Sequence, residues 1–150
     1  MTDIQDVLTA NHGFYRAFEK RDINAMGAVW SKTTEAVCIH PGREPLKGWE
    51  QIRTAWEEIF GVTDYLEVKA NVVALNVIGN VAYVVLAEDI LQVAQGDRIE
   101  AKSIATNVLE RMAGGWYVVL HHGSPIMRPM EEMQMPQDMQ PPMPPPFTPR

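Results

Sequence analysis

The chain has 150 residues, a formal net charge of −6 and a single cysteine, Cys38, so it holds no intrachain disulfide framework. Without a basic stripe or an RNA-reading aromatic motif, an acidic chain argues against nucleic acid and anionic membranes as partners. No apolar run comes near the roughly 18 residues of a membrane span, and the opening MTDIQDVLTANHG lacks the basic-then-apolar order of a secretory signal; the expected location is cytoplasmic.

From Asp3 to Lys20 the apolar residues Ile4, Val7, Leu8, Phe14, Tyr15 and Phe18 follow the helical period and predict an amphipathic helix. Arg21 and Asp22 break the run, and Asp22 can cap a second short helix that turns Ile23, Met26, Val29 and Trp30 inward. Ala36 to His40 reads as a short strand stopped by Pro41-Gly42. After Gly48, Trp49, Ile52, Trp56, Ile59 and Phe60 form a third helical stripe, ended by Gly61.

After Asp64 the period becomes two. Leu66, Val68, Ala70 and Val72 alternate with polar residues, and then Val73, Leu75 and Val77 carry the apolar phase on the other parity. Such a slip inside one strand predicts a β-bulge, and bulges bend sheets. Turns at Gly79-Asn80, Gly96-Asp97 and Gly114-Gly115 separate three further strands, Val81 to Val93, Ile99 to Leu109 and Trp116 to Ser124. Four long strands with short turns, preceded by all the helices, predict an α+β domain with a strongly curved antiparallel sheet around a pocket. No crossover helix separates these strands, which excludes a parallel βαβ design. In Val81 to Ala87 both faces are apolar, yet helices cover only one, so the second is expected to pack on another copy in a two-fold dimer. Shielding by the tail is the alternative.

That tail is the last segment. From Pro125 to Arg150 there are nine prolines and six methionines, a composition that favours open polyproline segments over a packed element. The folded domain is expected over 1–124 and a disordered Pro/Met-rich tail over 125–150, the tail being a candidate peptide for another protein.

His40 ends the first short strand; its small neighbour Cys38 shares its face and favours an inward direction, where burial would lower its pKa and an adjacent carboxylate would raise it. His121 and His122 point to opposite sides of the last strand, and because both faces are apolar, parity does not choose between them. Each histidine has two readings, an acid–base group in a pocket or a core side chain held by a carbonyl. Asp89, in phase with Tyr83, Val85 and Leu91, is a candidate buried base or a wet carboxylate where the strand has left the core; Glu88 points the other way. Asn107 could orient a ligand oxygen. Trp30, Trp49, Trp56 and Trp116 build an aromatic core or line a cavity. A Cys38–His40 nucleophile pair is disfavoured by its strand spacing. Neither zinc-site spacing nor a phosphate-binding glycine motif occurs, so no metal or cofactor is expected.

Several stretches resemble the nuclear transport factor 2-like superfamily, especially its SnoaL-like and ketosteroid-isomerase-like members, over about residues 3–124. They are Ala28-Val29-Trp30, Val37 to Gly42, the helix from Gly48 to Phe60, and Gly115 to Ser124. The resemblance implies a cone-shaped fold, commonly dimeric, whose pocket serves isomerases, cyclases, dehydratases, ligand binders and scaffolds. The residues themselves offer His40, Asp89 and His122 as candidate catalytic groups and Tyr15, Trp30, Trp56, Tyr83, Asn107 and His121 as candidate ligand contacts; the resemblance implies pocket lining for His40, Trp30 and the His121-His122 pair and places no complete catalytic set. The expected function is binding of a small, mostly apolar, oxygen-bearing molecule, with cofactor-free isomerisation or dehydration if the protein is an enzyme. The alternative is a non-catalytic homodimeric module, because one such scaffold serves many functions.

Overall fold

Thr2 caps the first helix, α1 (Asp3–Lys20), by accepting from the Gln5 backbone while the Gln5 side chain returns a bond to Thr2, a complete capping box. Arg21 closes α1 in the left-handed conformation, and Asp22 caps α2 (Ile23–Val29) through the Ala25 N–H. The computed structural model describes residues 2–127. The tail expected to be disordered lies outside them from residue 128 onward.

Trp30 leaves α2 in extended conformation, Trp30 and Ser31 lie against Val118, and the chain then enters β1 (Val37–Ile39). A two-residue strand that sequence periodicity did not announce, β2 (Leu46–Lys47), pairs antiparallel with β1 before α3 (Trp49–Val62). Four long strands follow: β3 (Tyr65–Ile78), β4 (Val81–Ala94), β5 (Asp97–Met112) and β6 (Gly115–Pro125). They form the expected antiparallel meander, and β6 reaches one residue past the expected domain end.

The expectation of a strongly curved, wholly antiparallel sheet enclosing a cone-shaped pocket is corrected. β1 runs parallel to β6, with Cys38 opposite His121, so the six-stranded sheet is mixed; its order, β2-β1-β6-β5-β4-β3, is open and does not close or curl into a cone. The exclusion of a parallel βαβ design concerned the four long strands, which pair antiparallel, whereas β1 meets β6 across the whole meander. Between the helices and the sheet the space is occupied by Phe14, Phe18, Trp30, Ile52 and Trp56, all buried. Phe14 and Phe18 meet the Trp56 ring edge-on at 5.7 and 4.9 Å, the geometry that opposes a ring's positive edge to a negative face. Ile4 and Leu8, expected on the inward stripe of α1, are exposed.

Two bulges set which residues face that core. The register of β3 on β4 shifts between Val72 and Ala74, where the apolar phase changes in the sequence. A second shift, between Val108 and Leu109 of β5, leaves Val119 of β6 unpaired. It puts His121 on the same inner face as Trp116 and Val118 and turns His122 outward. Among the described residues no helix is long and apolar enough to cross a membrane.

Candidate functional site

The inner face of the sheet carries a row of cross-strand neighbours, Val84, Asn107, His121 and Cys38, set by the register of β4, β5, β6 and β1. Two rows away Glu88 stands opposite Ser103. α1 lays Asn11 and Tyr15, one helical turn apart, over these groups. The result is a buried, continuous hydrogen-bonded chain. Tyr15 Oη donates to Glu88 Oε2 at 2.6 Å and Ser103 Oγ donates to Glu88 Oε1 at 2.7 Å, so both carboxylate oxygens accept. Asn107 Nδ2 donates to Asn11 Oδ1 at 2.8 Å and, more distantly, to Tyr15 Oη at 3.4 Å. An amide oxygen only accepts, so the 2.6 Å contact from His121 Nδ1 to Asn107 Oδ1 assigns the proton to Nδ1.

Burial decides the charge states here. Burial, then the negative charge of Glu88 and the hydrogen bond to it, holds Tyr15 above the ordinary tyrosine range, as a neutral hydroxyl. His121 is brought down to about 3, by burial first and by His122 second. His40 is brought down to about 4 by burial, with His121 and Arg43 adding to the fall and Glu88 opposing it. Burial, helped by Glu88, raises the Cys38 thiol. Its sulfur lies 3.6 Å from His40 Nε2, but a thiol held protonated is a poor nucleophile, which leaves the pair a packing contact. Among the described residues no group of three or more histidine, cysteine or acidic side chains could hold a metal.

Asn11 and Tyr15 bring this chain to a cleft. The cleft, of about 260 Å³, opens between α1 and the inner side of β3, lined by Leu8, Asn11, His12, Tyr15, Ala70 and Val72. It lies beside the β3 bulge, a common setting for sites because a bulge re-aims side chains.

Of the residues singled out in the sequence, Tyr15, Asn107 and His121 meet in this chain. His40 stacks edge-on against Trp56 at 4.8 Å and lies 6.4 Å from the His121 ring, at the end remote from the cleft. Trp30 and Trp56 are core, and neither buried indole N–H has a partner. Asp89, Tyr83 and His122 lie on the outer face, Asp89 half-exposed and 3.5 Å from the Lys102 ammonium. Of the two readings of Asp89 the wet carboxylate is the one found, and the core face of β4 is Ala82, Val84, Leu86 and Glu88. Glu88, Ser103, Asn11 and His12 were missed. Asn11 had left a signal, since it occupies the position between Val7 and Phe14 where the apolar stripe of α1 calls for a hydrophobe.

A helical layer on one face of an open mixed sheet, with polar groups threaded between them, is the architecture of the nuclear transport factor 2-like proteins. This chain belongs to the SnoaL-like domain family, which matches residues 7–129. It is similar to a protein from Streptomyces avermitilis assigned to the NTF2-like family as a candidate dehydratase: 29% identity, TM-score 0.77, covering 84% of this chain and 97% of that one. A candidate calcium/calmodulin-dependent protein kinase type II association domain from Thiobacillus denitrificans is 31% identical, with a TM-score of 0.71 over 79% of this chain and 93% of that one. The F-box protein SKIP8 of Arabidopsis thaliana is 25% identical over 118 residues, 79% of this chain; the chain spans about half (48%) of that relative's length.

Proposed function

We propose that this chain binds a small, mostly apolar, oxygen-bearing molecule in the cleft between α1 and β3 and moves a proton on it without a cofactor, as an isomerase or dehydratase. The observation that carries this reading is the buried chain from Glu88 through Tyr15 to the cleft wall, where a neutral hydroxyl rests on a carboxylate. In that geometry Tyr15 can accept a proton from the carbon next to a carbonyl while passing its own to Glu88. The return of the proton to another carbon completes an isomerisation; loss of a hydroxyl as water completes a dehydration. Asn11, on the same cleft, is placed to donate to the oxygen on which charge develops. The likeness to a candidate dehydratase agrees with this class of chemistry.

The test is a screen of small carbonyl compounds by ligand-observed NMR and thermal shift, followed by turnover assays on the hits. Glu88→Gln is expected to abolish turnover and keep binding, whereas Asp89→Asn is expected to change neither. Turnover that survives Glu88→Gln and fails in Asp89→Asn would reverse the assignment.

A second reading, a non-catalytic homodimeric module, draws on the buried Trp30 and Trp56, which occupy the space where a larger pocket was expected. In either reading the outer face of the sheet, with Val81, Tyr83 and Ile104 exposed, is covered by a second copy.

A further inference from the structure

The cleft between α1 and β3 carries a chemical bias that narrows its occupant. Leu8, Ala70 and Val72 make it apolar, its polar groups are Asn11, His12 and Tyr15, and no lysine or arginine is among its lining residues. The hydrogen bonds beneath it run one way. His121 donates to Asn107, and Asn107 donates to the Asn11 oxygen. Asn11 thus turns its oxygen to Asn107, while its N–H donors have no protein partner among the described residues and are left for the cleft. Behind Tyr15, one hydroxyl away, stands Glu88. An anion bound here would be desolvated near a carboxylate, with no lysine or arginine on the wall and only His12, neutral above the ordinary histidine range, beside it.

Resting on the acid–base reading above, we infer that the site selects a neutral carbonyl compound about one ring in size and rejects the matching carboxylate, with Asn11 as the residue that sets the choice. The size follows from the 260 Å³ of the cleft, which is below the roughly 300–1,000 Å³ of pockets that hold drug-sized ligands. Neither Asn11 nor the cleft was among the residues that the sequence pattern offered, because a lone polar residue in a helical stripe does not reveal which of its atoms is free.

The experiment uses the full chain at pH 8, above the ordinary histidine range, with 2-cyclohexen-1-one and cyclohex-1-ene-1-carboxylate as matched probes. The ketone is expected to bind at least about 10-fold tighter than the carboxylate and to shift the Asn11 side-chain amide signals of ¹⁵N-labelled protein. Asn11→Asp keeps an acceptor for Asn107 Nδ2 and removes the N–H donors; it is expected to weaken the ketone by about 10- to 100-fold. Should this variant not fold, the amide signals of the unaltered protein decide the role of Asn11. Equal binding of the two probes, a preference for the carboxylate, or unmoved Asn11 signals would overturn the selectivity while leaving a ligand site standing. Binding of neither probe, nor of any compound in the wider carbonyl screen, would overturn the ligand site as well.

Discussion

Lowering the pH from 7 to 5 is expected to cost this domain a large part of its stability through two histidines. In the unfolded chain both titrate near 6.5, whereas in the folded protein His40 is held at about 4 and His121 at about 3. Their folded values lie below their unfolded values, so the contribution is fully present above about 6.5. It is lost as pH falls from there toward the folded values, because the unfolded chain takes up protons that the folded core refuses. At pH 5 each unfolded histidine gains about 2 kcal/mol relative to pH 7 while its folded counterpart stays neutral, a combined loss of roughly 4 kcal/mol. For a domain stable by about 5–15 kcal/mol that is a large share. Urea denaturation at pH 7, 6 and 5 measures it, and His40→Gln and His121→Gln are each expected to remove about half of the pH dependence, whatever they do to stability at pH 7. A difference below about 1 kcal/mol between pH 7 and 5, or a full dependence persisting in the double variant, would refute the burial argument.

Trp56→Ala is expected to destabilise by about 3–5 kcal/mol, since its ring is fully buried among Phe14, Phe18, His40 and Phe60; a cost below about 1 kcal/mol in chemical denaturation would contradict the packing described. Gly123→Ala places a Cβ 2.8 Å from Pro41 Cγ, a ring that cannot rotate away, and is expected to cost about 1–3 kcal/mol; an unchanged thermal midpoint would show that the Pro41 turn yields. Asp89→Asn should shift stability by no more than about 0.5 kcal/mol, because its partner Lys102 is largely exposed. Light scattering at micromolar concentration should give a mass near twice 16.9 kDa, falling to the monomer when Tyr83 on the outer face is replaced by aspartate. A monomeric unaltered protein would leave the apolar outer face unexplained by self-association.

How much could be read beforehand depended on contrast within each segment. The β3 bulge was legible because its strand alternates apolar with polar, so a slip from Val72 to Val73 changes a visible phase. The β6 bulge was not, since Trp116 to Leu120 is apolar at every position and an unpaired Val119 leaves no mark in such a run. That one residue is why parity could not place His121. The same lack of contrast hid the orientation of β4: Val81 to Ala87 is apolar on both faces, so nothing local told Glu88 from Asp89. Its direction is decided by α1, whose Tyr15 supplies the hydroxyl that a buried carboxylate requires. The helices and the meander were legible from periodicity and turn residues. The parallel β1–β6 pair was not, because three-residue strands have no period to read.

That pair has a consequence for how the chain is made. β1 gains its long-strand neighbour only through residues 120–122, more than eighty positions downstream of Val37. Until they emerge during synthesis, Cys38 has only the two-residue β2 as a strand partner, and Asn107 lacks the imidazole that donates to it. A nascent chain ending at Met112 can assemble α1 and the β3–β4–β5 meander but must leave Trp30, Trp56 and Phe14 without the strand that closes over them. Loop closure over such a separation precedes the contacts that reward it, and exposed core aromatics in the interval invite aggregation. Released chains truncated at Met112 and at Met127 should therefore differ sharply in protease resistance. The gain should arrive with the final strand, in one step.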